Sequence, residues 1–268
     1  VILPMNFKNI SIFLLMVLLI PAFTLAGDGI LELENDNLQL SIQLQNESLQ
    51  SESVKLKEDD FTVDLDGDFI FDIVYTSWRA PNKINNSANP VKLSKKDFRY
   101  TGKKESDLED GTRKLELFFK GRNSRFNVKL CYKIKPGKNY FRRSVAIRDT
   151  VEDTHFLRKI HARKGKITPG YEVIKKGSYG QPAAFKYGDQ GLFFGLEFPT
   201  STNTIENGTL NSYQYIGKKI NDEWISSENV VFAVYPDARV KYHFKNYLAD
   251  IRVHPLEPYT LYNSWYDL

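Results

Sequence analysis

The sequence predicts a mainly β protein, in which a large antiparallel β-sandwich is followed by a linker helix and one terminal strand. Three observations carry this prediction. Short runs that alternate apolar and polar residues follow one another from residue 27 to residue 236, with turn residues between them. One apolar stripe with the period of an α-helix occupies residues 237–254, and an apolar, aromatic run at residues 259–262 stands close to the last residue.

The first alternating runs predict strands at residues 30–34, 38–44, 61–65 and 69–75. Asp66-Gly67 separates the last two of these runs. This dipeptide favours a tight hairpin, because both central residues of a type I′ turn have positive φ. The sequence therefore predicts that residues 61–65 and 69–75 pair with each other.

The same turn has one feature of a calcium loop, since Asp64, Asp66 and Asp68 have the spacing of its first three ligands. The pattern then fails, because Phe69 and Tyr75 stand where such a loop needs Gly and Glu. The hairpin is the favoured interpretation, and we predict no metal site.

Residues 78–90 form a long polar loop with two prolines, which begins with Trp78 and Arg79. Loops of this length without secondary structure are often functional. Trp78 is explained equally well as a cap on the sandwich core, and both interpretations stay open.

Three runs at residues 113–120, 125–135 and 140–149 are joined by short turn sequences and predict an antiparallel sheet. Further predicted strands lie at residues 154–163, 171–176, 183–187, 191–198, 210–216 and 230–235. Glu197 could bind a ligand hydroxyl, but a strand glutamate that faces solvent is the favoured interpretation.

Cys131 is the only cysteine of the sequence, so an exported form has no internal disulfide. Alternation places it on the face opposite the apolar residues of its strand, and we interpret it as structural rather than as a nucleophile. No catalytic motif surrounds the four histidines, His155, His161, His243 and His254.

Residues 237–254 predict one helix, with Asp237 as its N-cap and Pro255 as its stop. Its apolar stripe consists of Val240, Phe244, Tyr247, Leu248 and Ile251. The helix and a proline-rich connector together make up residues 237–258.

Residues 1–26 have the features of a secretory signal peptide. Lys8 precedes an apolar run at residues 10–20, and Thr24-Leu25-Ala26 is a small-residue cleavage site. The run is too short to span a bilayer comfortably. We expect a secreted or periplasmic protein, cleaved near Ala26, that meets the membrane only through the transient signal peptide.

The composition is that of a globular protein rich in aromatic residues, with 15 Tyr, 18 Phe and 3 Trp. Aromatic side chains suit the core of a β-sandwich, and they also suit stacking on sugar rings. The formal net charge is only +4, and the basic runs at residues 92–104 and 158–166 alternate with apolar residues, as on solvated strand faces. We therefore expect no nucleic-acid partner.

The terminal stretch Tyr262-Asn263-Ser264-Trp265-Tyr266-Asp267 resembles the first barrel strand of the α-galactosidase (melibiase) clan of glycoside hydrolases, with its Asn-Ser/Thr-Trp signature. Residues 132–137, 141–149 and 191–199 and the predicted helix with His254-Pro255 support this resemblance. In that clan a galactose-mutarotase-like β-supersandwich precedes a (β/α)8 barrel. The resemblance implies a supersandwich for residues 27–236 and a first barrel strand for residues 259–268.

The resemblance further implies a retaining glycosidase that acts on α-linked sugars through two aspartates on later barrel strands. Neither position exists in this sequence, because such a barrel needs about 250 residues. We therefore assign no catalytic residue and no cofactor, and we expect the 268 residues alone to be inactive. The expected substrate contacts are Asn263, Trp265, Tyr266 and Asp267 at the strand end and Trp78 and Arg79 on the sandwich loop.

Two functions follow from these patterns, and in both the partner is an oligo- or polysaccharide with α-linked sugars. One is the N-terminal part of an exported α-galactosidase-like enzyme, with its barrel downstream of residue 268. The other is a non-catalytic carbohydrate-binding β-sandwich. A mutarotase would need a histidine and a carboxylate that converge on the anomeric carbon, and no motif recommends one.

Overall fold

The computed structural model describes residues 29–75, 89–150 and 155–252. Within these ranges the chain forms 18 strands and one α-helix, and all strand pairs are antiparallel. The predicted mainly β fold class is therefore confirmed. No helix in these three ranges is both long enough and apolar enough to cross a membrane.

The first four strands form one sheet in chain order. They are β1 (Gly29–Glu34), β2 (Leu38–Gln45), β3 (Ser48–Leu56) and β4 (Phe61–Leu65). Alternation of buried and exposed residues along β2 directs its leucines and Ile42 into the interior.

A second sheet has five strands in the order β15-β16-β11-β5-β6. Their bounds are β5 (Asp68–Tyr75), β6 (Val91–Ser94), β11 (His155–Lys166), β15 (Thr202–Glu206) and β16 (Thr209–Lys219). The central strand β11 contains two register shifts, one between Leu157 and Lys159 and one between His161 and Arg163.

The third sheet has nine strands, in the order β12-β13-β14-β18-β10-β9-β8-β7, with β17 paired to β10. The bounds are β7 (Phe98–Asp107), β8 (Arg113–Gly121), β9 (Phe126–Ile134), β10 (Tyr140–Asp149), β12 (Glu172–Lys175), β13 (Ala183–Tyr187), β14 (Gln190–Leu196), β17 (Ile225–Ser226) and β18 (Val230–Tyr235). The antiparallel arrangement predicted for residues 113–149 is confirmed by the pairing of β8, β9 and β10.

The inner faces of the three sheets share one hydrophobic core, which includes Leu40, Val54, Phe71, Ile160, Phe141 and Phe232. Because the three sheets bury their apolar faces against one another, the main core lies between the sheets, and a smaller buried cluster lies beneath the helix.

The helix α1 (Val240–Ile251) packs on the outer face of the nine-stranded sheet, where Val240 and Tyr247 are buried beside Phe193. Phe244 and Ile251 pack partly buried against the same cluster, whereas Leu248 of the predicted stripe is 45% exposed.

The predicted N-cap of the helix is wrong, because Arg239 occupies that position. Asp237 lies two residues earlier, where its Oδ1 accepts hydrogen bonds from the Arg239 backbone N–H at 2.9 Å and from the His243 ring at 2.8 Å. Asp237 therefore orders the approach to the helix rather than its first turn. Pro255 lies outside the described residues.

The predicted hairpin at Asp66-Gly67 is also wrong. Strand β4 pairs with β3, whereas β5 pairs with β11 and β6 in a different sheet, so this dipeptide carries the chain from one sheet to the other. Glycine is needed there for space rather than for a turn, since a Cβ atom on Gly67 would lie 2.5 Å from Oε1 of Glu52. The side chains of Asp66 and Asp68 interact with Lys95, at its ammonium and its backbone N–H respectively.

Candidate functional site

The six predicted contact residues, Trp78, Arg79, Asn263, Trp265, Tyr266 and Asp267, all lie outside the described residues. The signal peptide and the first barrel strand lie outside them too. These assignments stay predictions, and the candidate site below is built from the part of the chain that the structure describes.

The outer side of the five-stranded sheet brings tyrosine, lysine and histidine side chains together. The register of β16 and β11 places Tyr213 opposite His161 and Tyr215 opposite Lys159. Opposite residues of antiparallel strands share one face of the sheet, so these four side chains form a common surface. The intervening residues Ile160 and Gln214 are buried on the other face. We call this surface, Lys159, His161, Tyr213 and Tyr215, the tyrosine face.

The two tyrosine rings hold the lysine between them. Nζ of Lys159 lies 4.3 Å from the ring centroid of Tyr213 and 4.8 Å from that of Tyr215. The ring centroids are 6.1 Å apart and nearly perpendicular, and Tyr215 is 62% exposed. A cation at these distances is attracted to the ring faces, so the contact restrains all three side chains. The result is an aromatic surface that is open to solvent and ordered before any ligand arrives.

His161 extends the tyrosine face with a polar group. Its ring centroid lies 5.0 Å from that of Tyr213, and its Nδ1 lies 2.9 Å from Oδ1 of Asn211. Burial lowers the pKa of His161, and this exceeds the opposing effect of the Asn211 hydrogen bond. The imidazole is therefore neutral at pH 7. Because the Asn211 oxygen can only accept, Nδ1 donates and Nε2 is left as an acceptor.

A carboxylate lies in the same register row, since Asp72 of β5 is opposite Lys159. Asp72 is 3% exposed, and its Oδ2 is 3.6 Å from Nη2 of Arg158. Among the described residues, its Oδ1 has no hydrogen-bond partner. Buried polar atoms in native proteins usually have a partner, so this oxygen is one of the exceptions among the described side chains.

Together the exposed and half-buried groups offer aromatic ring faces, a neutral imidazole and an amide within one surface. Sugars present apolar C–H faces with hydroxyl groups at their edges, and this combination of groups complements both. The sequence contained one usable signal for this surface, the i, i+2 spacing of Tyr213 and Tyr215 in a predicted strand. For the neighbouring strand the sequence predicts only a solvated basic face at residues 158–166.

The interpretation of Glu197 as a solvent-facing strand residue is wrong. It follows β14 directly, and its carboxylate binds the side chains of Arg142 at 2.8 Å and Asn229 at 3.3 Å. Tyr247 of α1 donates a hydrogen bond to the same carboxylate, and burial raises the pKa of that phenol. Glu197 thus connects the nine-stranded sheet to the helix.

Cys131 is buried in β9, and burial raises the pKa of its thiol. A thiol held in its neutral form is a poor nucleophile, in agreement with the structural role expected for it. In the three described ranges, no group of three or more His, Cys, Asp or Glu side chains is placed to hold a metal ion.

No family model matches this sequence, and no curated protein does so either. Solved structures do match the fold. The α-galactosidase from Lactobacillus brevis aligns with 83% of this chain at a TM-score of 0.51 and 8% identity. The family GH36 α-galactosidase AgaA from Geobacillus stearothermophilus aligns with 78% of it at 0.52 and 9% identity. A variant of that enzyme in complex with raffinose aligns with 78% at 0.51 and 10% identity.

The aligned part of this chain corresponds to 41% of the length of each of these three structures. At identities of 8–10% the likeness establishes the fold. The described residues therefore have a fold found in α-galactosidases, and the likeness of fold expected from the sequence is confirmed.

Proposed function

We propose that this chain is the non-catalytic β-region of an exported glycoside hydrolase that acts on α-linked sugars and resembles α-galactosidases. The observation that carries the proposal is the match of fold to α-galactosidases over 78–83% of this chain but only 41% of theirs. A β-region of this kind needs a further domain to supply the two carboxylates of a retaining glycosidase. The catalytic pair is thus expected downstream of residue 268, and the chain alone is expected to be inactive.

The tyrosine face supports a carbohydrate as partner. Tyr213 and Tyr215 offer ring surfaces for the apolar side of a sugar, and Nε2 of His161 offers an acceptor for a hydroxyl group. One of the structurally similar enzymes is described in complex with raffinose, which makes this α-galactoside the natural first probe.

Two measurements test the proposal. The reading frame of the natural gene is extended beyond codon 268, and the 268-residue protein and the full product are each assayed with 4-nitrophenyl α-D-galactopyranoside. We expect a downstream (β/α) pattern with two barrel aspartates, hydrolysis by the full product and none by the shorter one. A stop codon at position 269, or hydrolysis by the 268 residues alone, would overturn it.

A second candidate function is a free-standing carbohydrate-binding β-sandwich. The exposed ring of Tyr215 favours it, since a binding module needs only such a surface. Raffinose binding by the 268-residue protein together with a stop codon would favour this candidate over the first.

A further inference from the structure

A basic cleft lies away from the tyrosine face, at the end of the nine-stranded sheet where β8 turns into β9. It has a volume of about 840 Å³ and is lined by Glu47, Arg99, Lys120, Gly121, Arg122, Asn123, Ser124, Arg125, Phe126 and His155. Four of these side chains are cationic and one is a carboxylate. The volume lies within the range of small-ligand sites, roughly 300–1,000 Å³.

Two of the cations lie opposite each other on neighbouring strands. Arg99 of β7 is directly opposite Lys120 of β8 in the strand register, and both are exposed. Neither forms an ion pair with any residue that the structure describes. Like charges directly opposite each other destabilise a sheet. Binding of an anion between the two charges would explain why the sequence contains a like-charge pair that weakens the fold.

Two arginines of the β8–β9 turn are held in place before any ligand binds. Nη2 of Arg122 donates to the backbone oxygen of Asn46 at 3.2 Å and to Oγ of Ser48 at 2.9 Å. These partners are neutral, so the charge of Arg122 stays available to an anion, and its other N–H groups are not used by these two bonds.

Arg125 is fixed by the ends of two other strands. Its Nε donates to Oδ2 of the fully buried Asp149 at 2.7 Å, and its Nη2 lies 3.2 Å from Nδ1 of His155. The charge of Arg125 is therefore compensated by Asp149, and this arginine shapes the wall of the cleft rather than supplying a free charge.

A glycine in the β8–β9 turn allows this placement of the two arginines. A Cβ atom on Gly121 would lie 2.2 Å from Oγ and 2.4 Å from the backbone oxygen of Ser124. Only glycine allows this close approach, which sets the spacing of Arg122 and Arg125 around the cleft.

The lining also distinguishes between classes of anion. Single-stranded nucleic acids bind through exposed aromatic rings on which bases stack. The one Phe, Tyr or Trp among the lining residues is Phe126, which is 5% exposed and meets the ring of His155 edge-on at 5.4 Å. Asn123 is exposed and instead offers an amide group, which suits sugar hydroxyls.

We propose that this cleft binds the carboxylate or sulfate group of an acidic carbohydrate. Arg99 and Lys120 supply the attraction, Arg122 supplies oriented donors, and Asn123 contacts the sugar ring. The carbohydrate part of this proposal rests on the proposed function, since it extends the substrate from neutral to acidic α-linked sugars.

The binding of an acidic carbohydrate in the cleft is tested by isothermal titration calorimetry at low ionic strength. The four probes are digalacturonate, a 6-sulfated galactobiose, neutral galactobiose and inorganic phosphate. The variant is Arg99→Gln/Lys120→Gln. The matched control is Lys241→Gln/Lys245→Gln, which removes the same charge from two exposed positions on α1. We expect one or both acidic sugars to bind, and to bind the cleft variant at least about tenfold more weakly, while the control stays within about twofold.

The cleft variant is expected to unfold at a midpoint no lower than the wild type, because it loses a like-charge contact. Tight binding of phosphate but not of the acidic sugars would overturn the carbohydrate assignment, and equal losses in both double variants would overturn the site. Absence of binding by every acidic probe would also overturn the proposal that the cleft binds an acidic carbohydrate. The readout is binding rather than hydrolysis, so these results are independent of the catalytic domain on which the proposed function depends.

Discussion

Nη2 of Arg163 in β11 donates a hydrogen bond of 2.5 Å to Oε2 of Glu52 in β3, in the interior where the three sheets meet. Nη1 of Arg143 in β10 lies 3.4 Å from Oε1 of the same carboxylate, and the hydroxyl of Tyr132 donates to Oε1 at 2.7 Å. All four side chains are at most 1% exposed. One carboxylate thus links residues from all three sheets.

This arrangement predicts that Glu52→Gln strongly destabilises the fold. Gln removes the negative charge and leaves Arg143 and Arg163 buried together, and breaking a buried ion pair from one side costs about 3–5 kcal/mol. Urea unfolding measures the change. The control is Glu105→Gln, which breaks the exposed 2.7 Å pair with Lys103 and should change the free energy of unfolding by at most about 1 kcal/mol. Equal effects of the two substitutions would contradict the role assigned to Glu52.

The same carboxylate predicts how stability depends on pH. Burial alone raises the pKa of Glu52, but the charges of Arg143 and Arg163 and the hydrogen bonds of Tyr132 and Arg163 together outweigh it and lower the pKa from 4.5 to about 2. A carboxyl with a depressed folded-state pKa contributes stability above its unfolded-state pKa and loses it as the pH falls through the folded-state value. We expect wild-type stability to decline between about pH 4.5 and about pH 2.

Urea unfolding at several pH values checks this expectation. Glu52→Gln has no carboxyl at this position, so its stability should decline less steeply over the same pH interval than that of the wild type. Parallel curves for the two proteins would show that another group causes the loss of stability at low pH.

The Glu52–Arg163 pair also shows what the sequence could and could not predict. Local alternation predicted β10, β13 and β18 with the bounds that the structure has.

Local alternation did not predict β3, where serines and Lys55 surround Glu52 and no clear apolar alternation marks the inward-facing positions. It failed again at Arg163, because the register shift after His161 turns this side chain into the core although simple alternation places it on the tyrosine face. Charge pairs that span 111 residues depend on how sheets pack, which no local pattern encodes.

Gly165 supports a further prediction, because it lies where β11 passes close to the crossing between β4 and β5. A Cβ atom on Gly165 would lie 1.7 Å from the backbone oxygen of Asp66. A hydrogen bond of 2.8 Å from the Asp66 N–H to the Lys166 oxygen holds the two segments together, so the backbone must shift to admit a methyl group.

Gly165→Ala is therefore expected to lower the free energy of unfolding by about 1–3 kcal/mol. The matched control is Gly29→Ala, whose added Cβ would meet nothing within 4 Å. Denaturant midpoints measure both, and an unchanged midpoint for Gly165→Ala would contradict the close approach.

The tyrosine face gives the last prediction. Tyr215 is 62% exposed, so Tyr215→Ala removes ring surface without opening a cavity in the core. If the ring stacks on a sugar, its loss should cost about 1 kcal/mol and weaken raffinose binding by roughly fivefold. Tyr215→Phe keeps the ring and should bind within about twofold of wild type, since stacking uses the ring face rather than the hydroxyl group.

Tyr242→Ala is the matched control for this measurement, because Tyr242 is 54% exposed on α1, away from the sheet that carries the tyrosine face. Titration calorimetry with raffinose, together with unfolding curves for each variant, separates loss of contact from loss of fold. Equal weakening in Tyr215→Ala and Tyr242→Ala would show that the aromatic surface of β16 is not the place where the sugar stacks. A selective loss at Tyr215 that Phe restores would instead require ring stacking there, because only the ring face is common to Tyr and Phe.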